Sequence, residues 1–224
     1  MTPPTDSFLK RLCLTVPLLC VAGLVLMVSP HLVQGATPEE VEAARAKLPK
    51  DESFATRLAG AALDRTKHTV RYVPAYIRLD YPNGDVPADT GVCTDEVIRA
   101  YRSLGLDLQK LVHEDMKRNF NAYPKNWGLS RPDPNIDHRR VPNLKAFFKR
   151  KGTSLPVTDK PEDYLPGDLI TCTVPPHLPH IAIVVPAPDG GPRPWIVHNI
   201  GNGPQLEDRL FTFPLTGHYR WTGK

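Results

Sequence analysis

Apolar residues recur along this chain with two different periods. Val41, Ala44 and Leu48, then Phe54, Leu58, Ala61 and Ala62, fall three or four positions apart and predict two short helices, the second ending near Thr66. Val97, Ile98, Tyr101 and Leu104 keep the helical spacing. Asp95 and Glu96 occupy the first turn, where acidic side chains complement the helix dipole, and Gly105 stops the run. Cys93 therefore stands at a helix start. Leu108, Leu111, Val112 and Met116 predict another helix, and Pro142, Leu144, Phe147 and Phe148 a further one that closes at Gly152. Beyond Gly152 the period shortens: residues 169–174, 180–185, 195–200 and 218–222 are β-rich runs parted by Pro and Gly turns. Helices first and strands afterwards predict an α+β fold in which N-terminal helices pack on a largely antiparallel sheet.

Between the helical segments, residues 70–91 are rich in Tyr, Pro and Asp, and Pro82, Asn83, Gly84 and Pro87 supply turn chemistry, so this stretch reads as an ordered loop. Composition sharpens the picture. The chain has 224 residues, enough for one mid-sized core, and its 25 Pro and 15 Gly exclude a helical bundle or coiled coil. A net charge of +4 is mild, and no block of Lys and Arg is long enough to serve as a nucleic-acid arm, so nucleic acid is not an expected partner. Oligomeric state is not legible.

The N-terminus has the order of an export signal. Lys10 and Arg11 precede an apolar run over residues 12–28, followed by Ser29, Pro30 and small residues around Gly35 and Ala36. Residues 1–36 are expected to be a signal peptide cleaved near Gly35 or Ala36; an uncleaved membrane anchor is the alternative, since the run sits at the short edge of a span. The remaining chain is then periplasmic or extracellular, with membrane contact only through a retained anchor. Residues 37–57 read as an N-terminal helical extension. Cys13 and Cys20 leave with the signal, so only Cys93 and Cys172 remain, either as one disulfide or with a thiol kept reduced for chemistry.

A thiol at a helix N-terminus faces unpaired backbone N–H groups and the positive end of the macrodipole, both of which favour thiolate. A thiolate that attacks an amide also needs an imidazole to shuttle the proton and a polar group to orient that imidazole. His180 opens the strand HIAIVV and His198 lies near the end of WIVHN; neighbouring antiparallel strands bring such residues to one edge of a sheet. Asp137, His138, Arg139 and Arg140 precede a proline-started helix. Asp137 or Asn135 reads as a cap and the arginines as a solvated face, or else Asp137 and Arg139 line a groove that binds a substrate carboxylate. Cys172 reads as a small buried apolar residue. Glu207 and Asp208 are too isolated to be read as a paired acid and base. Gly201-Asn202-Gly203 follows a strand with no helix behind it, so it is not a phosphate loop. Cys93, His180 and His198 with Cys172 or His177 would make a zinc set, but neither CxxC nor HExxH occurs, and no metal or cofactor is expected.

The motifs GVCTDEVIRAY (91–101), LPGDLI (165–170), HIAIVV (180–185) and IVHN (196–199) follow the order found in NlpC-type cell-wall cysteine peptidases, which are papain-like. More closely, YPNGDVPADTGVCTD, NIDHRRVPNL, HNIGNGPQLED and TGHYRW resemble the bacterial family known as domain of unknown function 1287, over most of the chain from about Leu58 to its end. The resemblance implies a papain-like domain over residues 58–224. It makes Cys93 the nucleophile, His180 the general base and acid, and His198 the orienting residue. A tyrosine upstream of the nucleophile is implied at the oxyanion, Tyr72 by position or Tyr81 by proximity, with the Cys93 backbone N–H as the second donor. The implied substrate is an amide bond, with peptidoglycan stem peptides as the substrate class. A non-catalytic wall-binding or partner-binding module, and an acyltransferase using the same cysteine, are the alternatives. Val92 before the cysteine, Thr94-Asp95 after it, and Ala182 in place of a common Gly depart from the peptidase pattern.

Overall fold

The computed structural model describes residues 35–223. The export signal read over residues 1–36 lies almost wholly outside them. No helix among the described residues is long and apolar enough to cross a membrane.

Five helices lead into a six-stranded sheet, as the change of period predicts. The helices are α1 (Pro38–Ala46), α2 (Phe54–Arg65), α3 (Cys93–Ser103), α4 (Leu108–Asn119) and α5 (Val141–Lys151). Local signals set their ends. Thr37 and Glu40 exchange hydrogen bonds of 3.2 and 2.8 Å in a capping box at α1. Asp107 caps α4 by accepting from the Gln109 N–H at 3.1 Å. Gly105, with φ of 85°, takes the left-handed conformation that lets the chain leave α3.

The strands are β3 (Thr153–Leu155), β4 (Leu169–Val174), β5 (Leu178–Val185), β6 (Trp195–Asn199), β7 (Pro204–Glu207) and β8 (Leu215–Arg220), in the spatial order β3-β8-β4-β5-β6-β7 with every neighbour antiparallel. Two of these, β3 and β7, are absent from the sequence reading. Both are short edge strands, β3 largely exposed, and neither carries a run of β-branched residues. The last strand begins earlier than read: β8 starts right after Pro214, while Trp221 leaves the sheet to pack on Tyr101, Phe147 and Phe148.

Alternation along the strands divides the core in two. Leu169, Ile181, Ile183, Val185, Val197 and Leu206 face the helices and join Leu58, Leu63, Ile98, Tyr101, Leu144 and Phe148. Ile170, Ala182, Val184 and Ile196 face the other way, under Tyr164 and Leu210. Val41 and Ala44 of α1 belong to the helix-side cluster, and the Ala36 N–H donates to the Leu206 carbonyl at 2.9 Å, so the segment read as an extension packs on the same core. Truncating Phe148, fully buried among four aromatic rings, would cost about 3–5 kcal/mol.

The loop over residues 70–91 is an ordered strap. Its ends are joined by a parallel two-residue pairing of β1 (Arg71–Tyr72) with β2 (Thr90–Gly91). Its middle is held by Gln109 of α4, which donates to the Asp80 carbonyl at 2.8 Å and accepts from the Gly84 N–H at 2.9 Å. The pairing puts Tyr72 beside Gly91, two residues before Cys93.

Candidate active site

Cys93 is the first residue of α3, and that helix start is clamped from three sides. The Asp95 carboxylate accepts the Val92 N–H at 2.7 Å, closing the first turn on itself. It also receives the Arg139 guanidinium as a fork, Nε to Oδ1 at 2.8 Å and Nη2 to Oδ2 at 3.0 Å. Arg139 donates further to the Ala75 carbonyl of the strap at 3.0 Å, and its own carbonyl accepts the Thr94 hydroxyl at 3.1 Å. Both charged side chains are 2% exposed. Arg139 is thus a buried strut that fixes the start of α3 at Cys93, and this corrects its reading as part of a solvated face or a groove wall.

Asp137 is buried too, and its reading as a helix cap is corrected. Its carboxylate accepts from the Asp133 N–H at 2.5 Å and from Arg140 at 3.1 Å. The N-cap of α5 is Arg140, which makes no side-chain capping bond there.

The backbone N–H groups of Ile181 on β5 and of Thr94 are near the Cys93 thiol. Burial pushes the thiol up to about 12; the two N–H groups pull it down, and the charges of Asp95 and Cys172 push it up again. The sequence reading expects the helix start to favour thiolate, and this is corrected: desolvation outweighs the nearby N–H groups and the thiol stays protonated. Cys93 and Cys172 are both free thiols. The Tyr72 phenol stands near the thiol, and burial with the nearby Cys93 and Asp95 raises it to about 12. Tyr81 is elsewhere, its ring centroid 5.0 Å from that of His113 on α4. Of the two tyrosines, the structure brings only Tyr72 to the thiol.

Ile181 follows His180, but alternation along β5 sets the His180 side chain on the face of Ala182 and Val184, opposite the face on which Ile181 and Cys93 join the helix-side core. His180 Nε2 lies 2.8 Å from His198 Nδ1, and His198 Nε2 lies 2.6 Å from Glu207 Oε2. The three are 3%, 1% and 4% exposed. Burial and the neighbouring His198 lower His180 to about 3, so its imidazole is neutral at physiological pH. Burial alone would raise Glu207, but the His198 hydrogen bond and charge together with Arg209, 3.2 Å away, hold its carboxyl below the ordinary value.

Glu207 is the residue the sequence reading set aside. Its place follows from the hairpin that Gly201-Asn202-Gly203 makes between β6 and β7. Pairing Ile196 with Glu207 and His198 with Gln205 sets Glu207 on the His198 face of the sheet. The signal available was that turn followed by the alternation Gln205, Leu206, Glu207. On the other side of β5, Cys172 of β4 is the register partner of His180. The zinc set is not assembled: among the described residues no group of three or more His, Cys, Asp and Glu is arranged to hold a metal ion.

Residues 59–221 match the family model described as Domain of unknown function (DUF1287). The chain belongs to this family. It is similar to the Escherichia coli (strain K12) protein named "Uncharacterized protein YijF", with 50% identity over 167 residues, covering 73% of this chain and 80% of the relative. No solved structure matches. Cys93, His180, His198 and Glu207 all fall within the part of the chain that the DUF1287 model spans.

Proposed function

We propose that this chain is an exported cysteine hydrolase of papain-like, NlpC-type architecture that cleaves amide bonds, with peptidoglycan stem peptides as the substrate class. The observation that carries the reading is the start of α3 at Cys93 beside β5, the strand from which the buried hydrogen-bonded row His180, His198, Glu207 runs.

The relay assigns the protons. An ionised Glu207 only accepts, so His198 carries its proton on Nε2. In the tautomer where His198 carries that single proton, its Nδ1 accepts from the His180 Nε2–H, and the lone pair of His180 is left on Nδ1 as the base. For the reaction the His180 ring must reach the sulfur around the edge of β5; the Cys93 proton then passes to that nitrogen while sulfur attacks the amide carbon and a C–S bond forms. The oxyanion receives the Cys93 N–H and the Tyr72 hydroxyl. His180 then protonates the departing nitrogen as the C–N bond breaks. Water, deprotonated by His180, attacks the thioester; the C–S bond breaks, the acid leaves and the proton returns to sulfur. Because the unliganded thiol and imidazole are both neutral, proton transfer is coupled to attack and is not stored as a resting ion pair.

One observation favours a second reading, a non-catalytic module of the same fold: Cys93 is only 4% exposed and its thiol is held protonated. Muropeptides incubated with the purified chain and with Cys93→Ala decide between them. The hydrolase yields new masses, each the sum of substrate and water divided between two products, from the unaltered chain alone; equal products from both, or none from either, overturns the cysteine mechanism.

A further inference from the structure

A cleft of about 690 Å³ opens between α5 and the β4–β5 hairpin, away from the relay's Glu207 end. Its floor includes Cys172, the register partner of His180, and Pro179, the residue before it, so the cleft begins beside the base. Its α5 wall presents Lys145 and Lys149, four residues apart and so on one helix face. No Asp or Glu lines it. Thr173, Thr216 and the ring of Tyr219 complete the sheet side, and Tyr123 the far end.

The two lysines stand out against their neighbours on α5. Arg150 and Lys151 both reach the Asp115 carboxylate, at 2.7 and 3.4 Å, whereas among the described residues neither Lys145 nor Lys149 has a carboxylate within ion-pair distance. Lys145 is half-buried, and burial lowers its ammonium below the ordinary value with no partner to offset the loss of water. A partly desolvated, unpaired cation in an otherwise neutral cleft gains most from an incoming anion.

We infer that this cleft is a subsite for an anionic, carboxylate-bearing part of the substrate, held by Lys145 at its inner end and Lys149 at its rim. That the occupant is a substrate rests on the hydrolase reading; that the cleft selects carboxylates rests on the lysines alone. Neutral threonine hydroxyls opposite supply donors without competing charge, and the start beside His180 sets such a carboxylate a short stretch of chain away from the scissile bond.

The experiment separates the two readings by measuring binding without turnover. The full chain carrying Cys93→Ala is titrated with acetyl-Ala-Glu, whose side-chain and terminal carboxylates are free, and with the uncharged acetyl-Ala-Gln amide, following backbone amide NMR shifts. The dicarboxylate is expected to shift residues lining the cleft and to bind at least about tenfold more tightly than the amide. Lys145→Gln with Lys149→Gln should abolish that preference, and the corresponding double Arg variant should retain it. Equal binding of the two peptides, shifts confined to other surfaces, or an undiminished preference in the double Gln variant would each overturn the subsite. A chain that binds as expected yet cleaves nothing refutes the hydrolase and keeps the subsite; the reverse result does the opposite.

Discussion

His198 Nε2 lies 2.6 Å from Glu207 Oε2, both side chains buried, and this contact sets which way the His198 imidazole is turned. An orienting histidine can be flipped by any neighbour; a buried carboxylate, which only accepts, removes that freedom.

Glu207→Gln should therefore impair the chemistry more than the binding. A fall in kcat of about 10- to 100-fold with little change in KM is expected. The carboxylate favours protonated imidazole, so its loss should move the acid limb of the pH profile of kcat/KM to lower pH. A purely structural role would leave that limb in place.

Tyr72→Phe tests the oxyanion assignment. Removing one donor should lower kcat about 10²- to 10³-fold while the urea unfolding midpoint stays within error of the parent, since the ring is 39% exposed and its packing is kept. Tyr81→Phe, in contact with His113, should leave kcat unchanged.

The Arg139–Asp95 strut predicts a stability cycle. Arg139→Met strands a buried carboxylate and should cost about 3–5 kcal/mol by urea denaturation; adding Asp95→Asn to it should recover part of the loss. If the two single losses simply add, the pair is not coupled and the strut is not what fixes the helix start.

Acid should destabilise the fold in two stages. Burial lowers His180 and His138 from an ordinary 6.5 to about 3, so below pH 6.5 the unfolded chain takes up protons that the folded one refuses. Stability then falls with decreasing pH, at up to about 1.4 kcal/mol per unit for each histidine. A second fall begins near pH 4. Asp115 is depressed to about 2, its burial outweighed by Arg150 and Tyr123, and Asp168 is lowered against its burial by His218 and Arg220; what they contribute is lost as pH drops through their folded values. Unfolding free energies measured from pH 8 to pH 3 test this, and a flat profile between pH 6.5 and 5 would refute the first stage.

Much of this was legible in the chain. Periodic runs, helix-start acids and Gly stops carry their meaning locally, which is why α2, α3, α5 and the three central strands were read near their observed limits. Cys93, His180 and His198 could be singled out because each sits at a marked place in such a run. Arg139 and Glu207 could not. Arg139 looks like a surface residue until Asp95, 44 positions earlier, is folded against it, and Glu207 acquires a role only from the pairing of β6 with β7. Long-range ion pairs and edge-strand register leave no periodic trace.

The turn at Gly201 and Gly203, with φ of 141° and 86°, bears on how this chain tolerates change in length. One residue added or lost there would rotate Leu206 toward His198 and turn the carboxylate away, because successive strand residues point to opposite sides. The loop between β5 and β6, over residues 186–194, carries no such obligation, since it is long enough to absorb a residue without shifting the paired strands. Insertions and deletions should accumulate in the one and be purged from the other.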